Sequence, residues 1–164
     1  MNKSVLLLRS TIAAALFTTA SAFAADSTTQ TVTYSVSAIN ELSVSGNPGA
    51  MTVSTATAGS APDAVSDTTS TYAITTNETN RKITVAINSA MPTGVTLTVS
   101  LAAPTGGTSA GAKTLSTTAA DAVTGIATLN EAGKVITYNM SATSAAGVVS
   151  SANKTVTLTI VAGA

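Results

Sequence analysis

Apolar and hydroxyl side chains alternate along several short stretches of the chain. The clearest are TVTYSVSA (residues 31–38), VTLTVSL (residues 95–101) and KTVTLTIV (residues 154–161). Successive side chains of a strand point to opposite faces, so this alternation predicts strands with one buried face. Valine and threonine suit such a half-buried surface because both are β-branched.

Shorter runs with the same period predict further strands. These runs are LSVS (42–45), MTVS (51–54), TYAIT (71–75), KITVAI (82–87) and VITYNMSA (135–142). The tetrapeptides NETN and EAGK stand before two of the runs, and both are predicted to be hairpin turns.

Three other stretches have weaker patterns. DAVTGIATLN (121–130) is compatible with a strand or with a single helical turn, and KTLS (113–116) is a short strand at best. Residues 54–70 lack periodicity and predict a long crossover loop. Together the patterns predict an all-β fold, an antiparallel immunoglobulin-like β-sandwich of about eight strands that forms one domain over residues 25–164.

The first 24 residues have the features of a secretory signal peptide. Lys3 and Arg9 come before an apolar run, which is followed by small residues that end in Ala22-Phe23-Ala24. This pattern predicts cleavage after Ala24 and export of the protein. The expected location is extracellular or at the cell surface, reached through the periplasm if the cell has an outer membrane. The apolar run is too short for a membrane span.

Charged residues make up only 9% of the chain, and it contains no cysteine. The absence of cysteine excludes a lipid anchor and disulfides. Removal of the signal peptide leaves five basic and seven acidic side chains, and no basic patch that would bind nucleic acid. So weakly charged a surface is poorly protected against self-association. It is typical either of an exported protein kept at modest concentration or of one that polymerises.

The residue types that most enzymes use are missing. Without histidine or cysteine the chain lacks the usual general base, thiolate nucleophile and transition-metal ligands. The sequence therefore predicts no enzyme, no catalytic residue, no cofactor and no metal site. Asp63 and Asp67 come nearest to a calcium motif, but solvated loop charges are the favoured interpretation.

Two kinds of covalent modification are weighed against simpler roles. Asn77, Asn139 and Asn153 each begin an N-glycosylation pattern, but so short a pattern arises often by chance, and we interpret them as turn and strand residues. A Lys to Asn cross-link would need Lys134 or Lys154 buried beside an asparagine and a carboxylate.

The first alternating stretch, residues 31–38, is the one that indicates a function. Its apolar face is interrupted at Asn40, which indicates either a bulge or a hinge to a separate strand at Leu42. Eight residues at ~3.3 Å each reach about 26 Å, the length of a sandwich groove. Such a strand could pair with the next molecule, and a head-to-tail contact of this kind propagates into a filament. The residues expected to set its register are Val32, Tyr34, Val36 and Ala38.

The run TVTYSVSAINELSVSG directly after the signal peptide, the Ser/Thr-rich middle and the terminal KTVTLTIV resemble pilin-type subunits of bacterial surface fibres, especially the spore-coat-U-like group. The resemblance implies a sandwich fold, assembly by strand addition and an export chaperone as a further partner. Those subunits commonly carry a disulfide, which this chain cannot form.

Three function classes remain open. The preferred one is a non-enzymatic structural subunit of an extracellular fibre, pilus-like appendage or surface coat that associates with itself. The alternative is a monomeric binding or adhesion module whose loops, chiefly 54–70 and 102–112, hold a carbohydrate or a protein. The third is an enzyme, which predicts a cleft with convergent carboxylates.

Overall fold

The computed structural model describes residues 26–164, so the predicted signal peptide lies outside the described residues. The chain divides into two units, Met1–Ser35 and Val36–Ala164. In the described part of the first unit, residues 26–35 form no helix or strand, and their side chains are exposed.

The second unit is an all-β sandwich. Its one helical element in the described residues is a short 3-10 turn at Ser144–Ala146. Three of the ten strands contain only two or three residues, too few to show an alternation. The strands are β1 (Asn40–Ser45), β2 (Val65–Asp67), β3 (Thr71–Thr76), β4 (Arg81–Ile87), β5 (Val95–Leu101), β6 (Thr108–Ser109), β7 (Lys113–Thr114), β8 (Ala120–Ile126), β9 (Leu129–Ala142) and β10 (Val156–Ala162).

The strands form two antiparallel sheets. The six-stranded sheet has the order β1-β3-β9-β5-β7, and the four-stranded sheet has the order β10-β4-β8-β6. β2 also pairs with the long strand β9, beyond the part of β9 that pairs with β3. The end strands of the two sheets, β1 and β10, lie near each other at one side of the sandwich.

The core between the sheets is aliphatic, as the scarcity of aromatic residues predicts. The alternating residues of β4 and β5 point into it, with Ile83, Val99 and Leu101 fully buried. Tyr72 and Tyr138 are the aromatic side chains of the described core, and both are at least 95% buried. Burial of these apolar side chains is the main stabilising contribution, since the chain has no disulfide.

Several local predictions are wrong. The EAGK turn lies inside β9, where one extra residue bulges opposite the step from Tyr72 to Ile74, and Gly133 adopts a positive φ of 69°. The turn residues were therefore signals for a bulge. MTVS (51–54) forms no strand. Within a single copy TVTYSVSA (31–38) belongs to no strand, and its pairing with a second copy stays a prediction. Of the two structures left open for 121–130, the strand is confirmed, since the stretch contributes to β8 and β9.

Among residues 26–164, no helix has both the length and the apolar character that crossing a membrane requires.

Candidate assembly site

The side of the sandwich where β1 and β10 lie exposes part of the apolar core. Leu42 of β1 and three residues of β10 pack against the core but stay only partly buried, and Val44 of β1 is 53% exposed. We call this surface the open edge. It consists of Leu42, Val44, Val156, Leu158 and Ile160.

Cross-strand partners show that the open-edge side chains face the core. Directly paired residues of neighbouring strands point to the same side of a sheet. On β10, Leu158 pairs with Val85 and Ile160 pairs with Ile83, and both partners are at most 1% exposed. The open-edge residues therefore point inward, and they stay partly exposed because no other strand of residues 26–164 lies on the outer side of β1 or β10.

The first sheet has the same arrangement. Leu42 pairs with Ile74, and Val44 pairs with Tyr72; both partners are at most 2% exposed. The buried fraction of the core-facing side chains thus decreases from β3 to the neighbouring end strand β1, as it does from β4 to β10. Each sheet ends at this side with one incompletely covered row of apolar side chains.

The opposite side of the sandwich is closed. There the short strands β6 and β7 flank β8 and β5, and the core-facing residues next to them are buried. Val99 and Val123 are fully buried, and Leu115, which follows β7, is 4% exposed. The partly exposed core residues of the edge strands therefore lie on the side formed by β1 and β10.

The backbone of the open edge has unpaired hydrogen-bonding groups. Beyond the two ends of the β10–β4 ladder, Asn88 N–H donates to Thr155 O, and Gly163 N–H donates to Asn80 O. In an antiparallel pair such bonded positions recur at every second residue. The odd residues of β10 therefore bond β4, and the even residues direct their N–H and C=O groups to the free side. These even residues are Val156, Leu158, Ile160 and Ala162.

A polar cluster closes one end of the open edge. Asn40, the first residue of β1, shares the core face and accepts a hydrogen bond of 2.8 Å from Thr76 Oγ1. Its amide donates to Glu78, which also pairs with Arg81. The residue that interrupts the alternation in the sequence therefore starts the strand and satisfies the buried hydroxyl of Thr76.

The four residues predicted to form an assembly strand belong to no sheet. Val32, Tyr34 and Val36 are 75%, 89% and 80% exposed, and Ala38 is exposed as well. Contiguous exposed apolar side chains are uncommon on monomeric proteins, which makes this segment a candidate for contact with a partner.

Asn77 anchors the chain just before β1. Its side-chain Oδ1 accepts from Ile39 N–H at 2.8 Å, and its Nδ2 donates to Ser37 O at 2.8 Å. Its own backbone N–H donates to Ile39 O at 3.2 Å. We call these three hydrogen bonds the Asn77 clamp. Of the predicted assembly residues, Val32, Tyr34 and Val36 precede the anchored backbone. Ala38 lies within the anchored backbone.

The other residues singled out from the sequence have local partners. Asp63 accepts from Thr55 Oγ1 at 2.9 Å, and Asp67 accepts from the backbone N–H groups of Gly49 and Thr69. The bonds from Thr69 hold the pKa of Asp67 below its ordinary value. No group of three or more carboxylates that could hold a metal ion occurs in residues 26–164.

Within residues 26–164, the candidate cross-linking lysines have partners other than asparagine side chains. Lys134 Nζ lies 2.5 Å from Glu131 Oε2, and Lys154 Nζ donates to Ser89 Oγ and Ala90 O. The hydrogen bond from Lys134 is the main reason that the pKa of Glu131 is lowered to about 2. These lysines serve local hydrogen bonds.

A cleft of about 700 Å³ lies beside the loops that precede β5 and β10. Met51, Met91 and Met140 line it, and residues 142–152 form much of its rim. Of the two loops that a binding module was predicted to use, 54–70 contributes a few residues and 102–112 contributes none. No local sequence pattern predicts this cleft, because its lining comes from separate parts of the chain.

Comparison of the chain with protein-family models, with curated proteins and with solved structures finds no match.

Proposed function

We propose that this protein is a structural subunit that assembles by strand addition, in which the N-terminal segment of one copy pairs with β10 at the open edge of the next. The product is a fibre, pilus-like appendage or surface coat, and the subunit has no enzymatic role. The likeness to pilin-type and spore-coat-U-like subunits, the immunoglobulin-like strand arrangement and export to the cell surface are parts of the same proposal.

The observation that carries the proposal is the combination of an open edge with an exposed alternating segment. The open edge has room for one more strand. That strand would need apolar side chains at every second position and backbone groups that are free to pair with the edge. Residues 31–36 supply that pattern with Val32, Tyr34 and Val36. Strand addition joins backbone pairing, which gives affinity, to side-chain fit, which gives register.

β10 suits this role better than β1. Its seven residues span about 23 Å, enough to pair with all six residues 31–36 that precede the Asn77 clamp, which span about 20 Å. Three of its side chains, Val156, Leu158 and Ile160, are core-facing and partly exposed, against two on β1. A donor strand beside β10 would bury all three.

The first test is assembly of the mature chain with and without residues 25–36. Size-exclusion chromatography and electron microscopy should show fibres or large oligomers for the mature chain and monomers for the truncated one. Tyr34→Asp should act like the truncation because it would place a charge in the core of the neighbour. Thr33→Asp is the matched control, since its side chain would face solvent. Fibres of normal yield from the truncated chain would refute the proposal.

A second test uses a synthetic peptide of residues 31–38 added to the truncated chain. The peptide should raise the midpoint of thermal unfolding, because a ligand that binds only the folded state stabilises it. The same peptide with Tyr34→Asp should not raise it, because it would place a charge in the core of the sandwich.

The Met-lined cleft favours a second candidate function, a binding module. Its volume lies in the range of small-ligand sites. This candidate predicts a mature chain that stays monomeric at high concentration and that loses ligand binding, but not folding, when Met91 is replaced by a charged residue.

A further inference from the structure

The N-terminal segment could also pair with the open edge of its own molecule. A hairpin with the three-residue loop 37–39 would place Val36 opposite Asn40, Tyr34 opposite Leu42 and Val32 opposite Val44. Asn77 N–H bonds Ile39 O, so the odd residues of β1 face β3 and its even residues present free backbone groups. The hairpin would therefore match both the free backbone and the apolar face.

This closed form would compete with assembly. It would cover the same apolar side chains without a second molecule, and a local loop closes at a small entropic cost. A subunit that closed on itself would be a stable monomer. A chain that polymerises through this segment needs a feature that opposes the hairpin.

The Asn77 clamp is such a feature. It continues the pairing of β1 with β3 beyond the last paired residues, Asn40 and Thr76, so that Ile39 lies beside Asn77. The bond from Asn77 Nδ2 to Ser37 O extends the contact by two more residues. The hairpin needs residues 37–39 to reverse direction, and the clamp holds the first and the last of them against the β3–β4 turn.

The loop residues oppose the hairpin as well. Three-residue hairpin loops favour glycine at the last position, which takes a positive φ. The residue there is Ile39, and β-branched residues rarely adopt a positive φ. Neither Ser37 nor Ala38 supplies a glycine.

We propose that Asn77 is a positioning residue that prevents the N-terminal segment from closing on its own molecule and so keeps it free for a second copy of the chain. The proposal deepens the proposed function and rests on it. Ile39 supports the same outcome through its backbone preference.

The absence of cysteine makes the closed form directly measurable. In the hairpin, Thr33 and Ser43 would form a non-hydrogen-bonded pair with Cα atoms about 4.5 Å apart, within the range that a disulfide spans. Both side chains are exposed, so Thr33→Cys/Ser43→Cys leaves the core unchanged. The rate of intramolecular disulfide formation, measured at high dilution in a glutathione buffer and read as a mobility shift of the monomer, reports the closed population.

In this reporter chain, Asn77→Ala should speed intramolecular disulfide formation about tenfold, because it removes two side-chain hydrogen bonds of modest net strength. Adding Ile39→Gly should speed it further and should lower the yield of fibres. Asn139→Ala is the matched control, since it removes one exposed side-chain bond, to Ser66 Oγ, away from the open edge. It should leave the rate unchanged.

An unchanged rate in Asn77→Ala, with the fold intact by circular dichroism, would overturn the proposal. If Asn77→Ala does not fold, the rate of intramolecular disulfide formation is measured in Asn77→Asp instead. It keeps the acceptor for Ile39 N–H and loses the donor to Ser37 O, so it should give an intermediate rate, and the parent rate would count against the clamp.

The disulfide rate is measured on monomers and therefore does not depend on assembly. If the mature chain forms no fibres but the rate rises as stated, the proposed function fails while the clamp is shown to oppose closure. If fibres form and the rate does not rise, the proposed function stands and the clamp proposal fails.

Discussion

The exposure of the open edge to water can be tested by comparing two isoleucines that differ in their place in the sheet. Ile83 of β4 and Ile160 of β10 are direct cross-strand partners on the same face. Ile83 is fully buried, whereas Ile160 is only partly buried. The perturbation is Ile→Ala at each position, in the chain that lacks residues 25–36.

Truncating a fully buried isoleucine costs about 3 kcal/mol, which includes the cavity that is left, and we expect this loss at Ile83. At Ile160 we expect about half as much, roughly 1.5 kcal/mol, because the side chain keeps part of its contact with water in the folded subunit. The assay is urea unfolding followed by circular dichroism, with the free energy extrapolated to water.

Adding the peptide of residues 31–38 should raise the loss at Ile160 toward that at Ile83, since the added strand would bury the side chain. The loss at Ile83 should not change. Equal losses at the two positions in the subunit without peptide would show that the edge is already closed and would refute the reasoning.

Three further predictions concern the stability of the sandwich. The pKa of Glu131 is lowered to about 2 by its hydrogen bond with Lys134, so the stability that the carboxylate contributes above pH 4.5 is lost as the pH falls toward 2, and Glu131→Gln should flatten acid unfolding in that window. Burial raises the pKa of Tyr72 to about 12, so stability should fall as the pH rises from 10 to 12, and less so in Tyr72→Phe. Gly94→Ala should lower the thermal midpoint by several degrees, because φ is 79° and a Cβ would lie 2.8 Å from Ala146 N. A midpoint equal to that of the parent would contradict the close approach.

The strict alternations predicted the core strands because period two decides which face of a strand points to the core. Leu97, Val99 and Leu101 are buried as their pattern predicts, and the threonines of β10 face outward. The fold class, an all-β sandwich with antiparallel sheets, followed from the same signal.

The errors occurred where one local pattern has two structural uses. Glycine with charged neighbours marks a hairpin turn or a bulge, and Gly133 stands in a bulge of β9. Met51 and Val53 are apolar residues at alternate positions, but they line the cleft and belong to no strand. Local sequence does not contain the partner strand that decides between these uses.

Half of the candidate assembly site could be predicted from the sequence. The alternating segment with Val32, Tyr34 and Val36 was visible because its pattern is local. The open edge was not, because it depends on which strands end the two sheets, and the pairing of β10 with β4 joins residues about 75 positions apart. The Asn77 clamp likewise joins residues that are 38 and 40 positions apart.

Amide hydrogen exchange along β10 tests the central claim most directly. In the truncated subunit labelled with ¹⁵N, the amides of Leu158 and Ile160 should exchange fast, and those of Thr157 and Thr159 should be protected by β4. Binding of the peptide of residues 31–38 should protect Leu158 and Ile160 and leave the other two unchanged. Fast exchange at Leu158 and Ile160 in the presence of saturating peptide would contradict pairing at this edge.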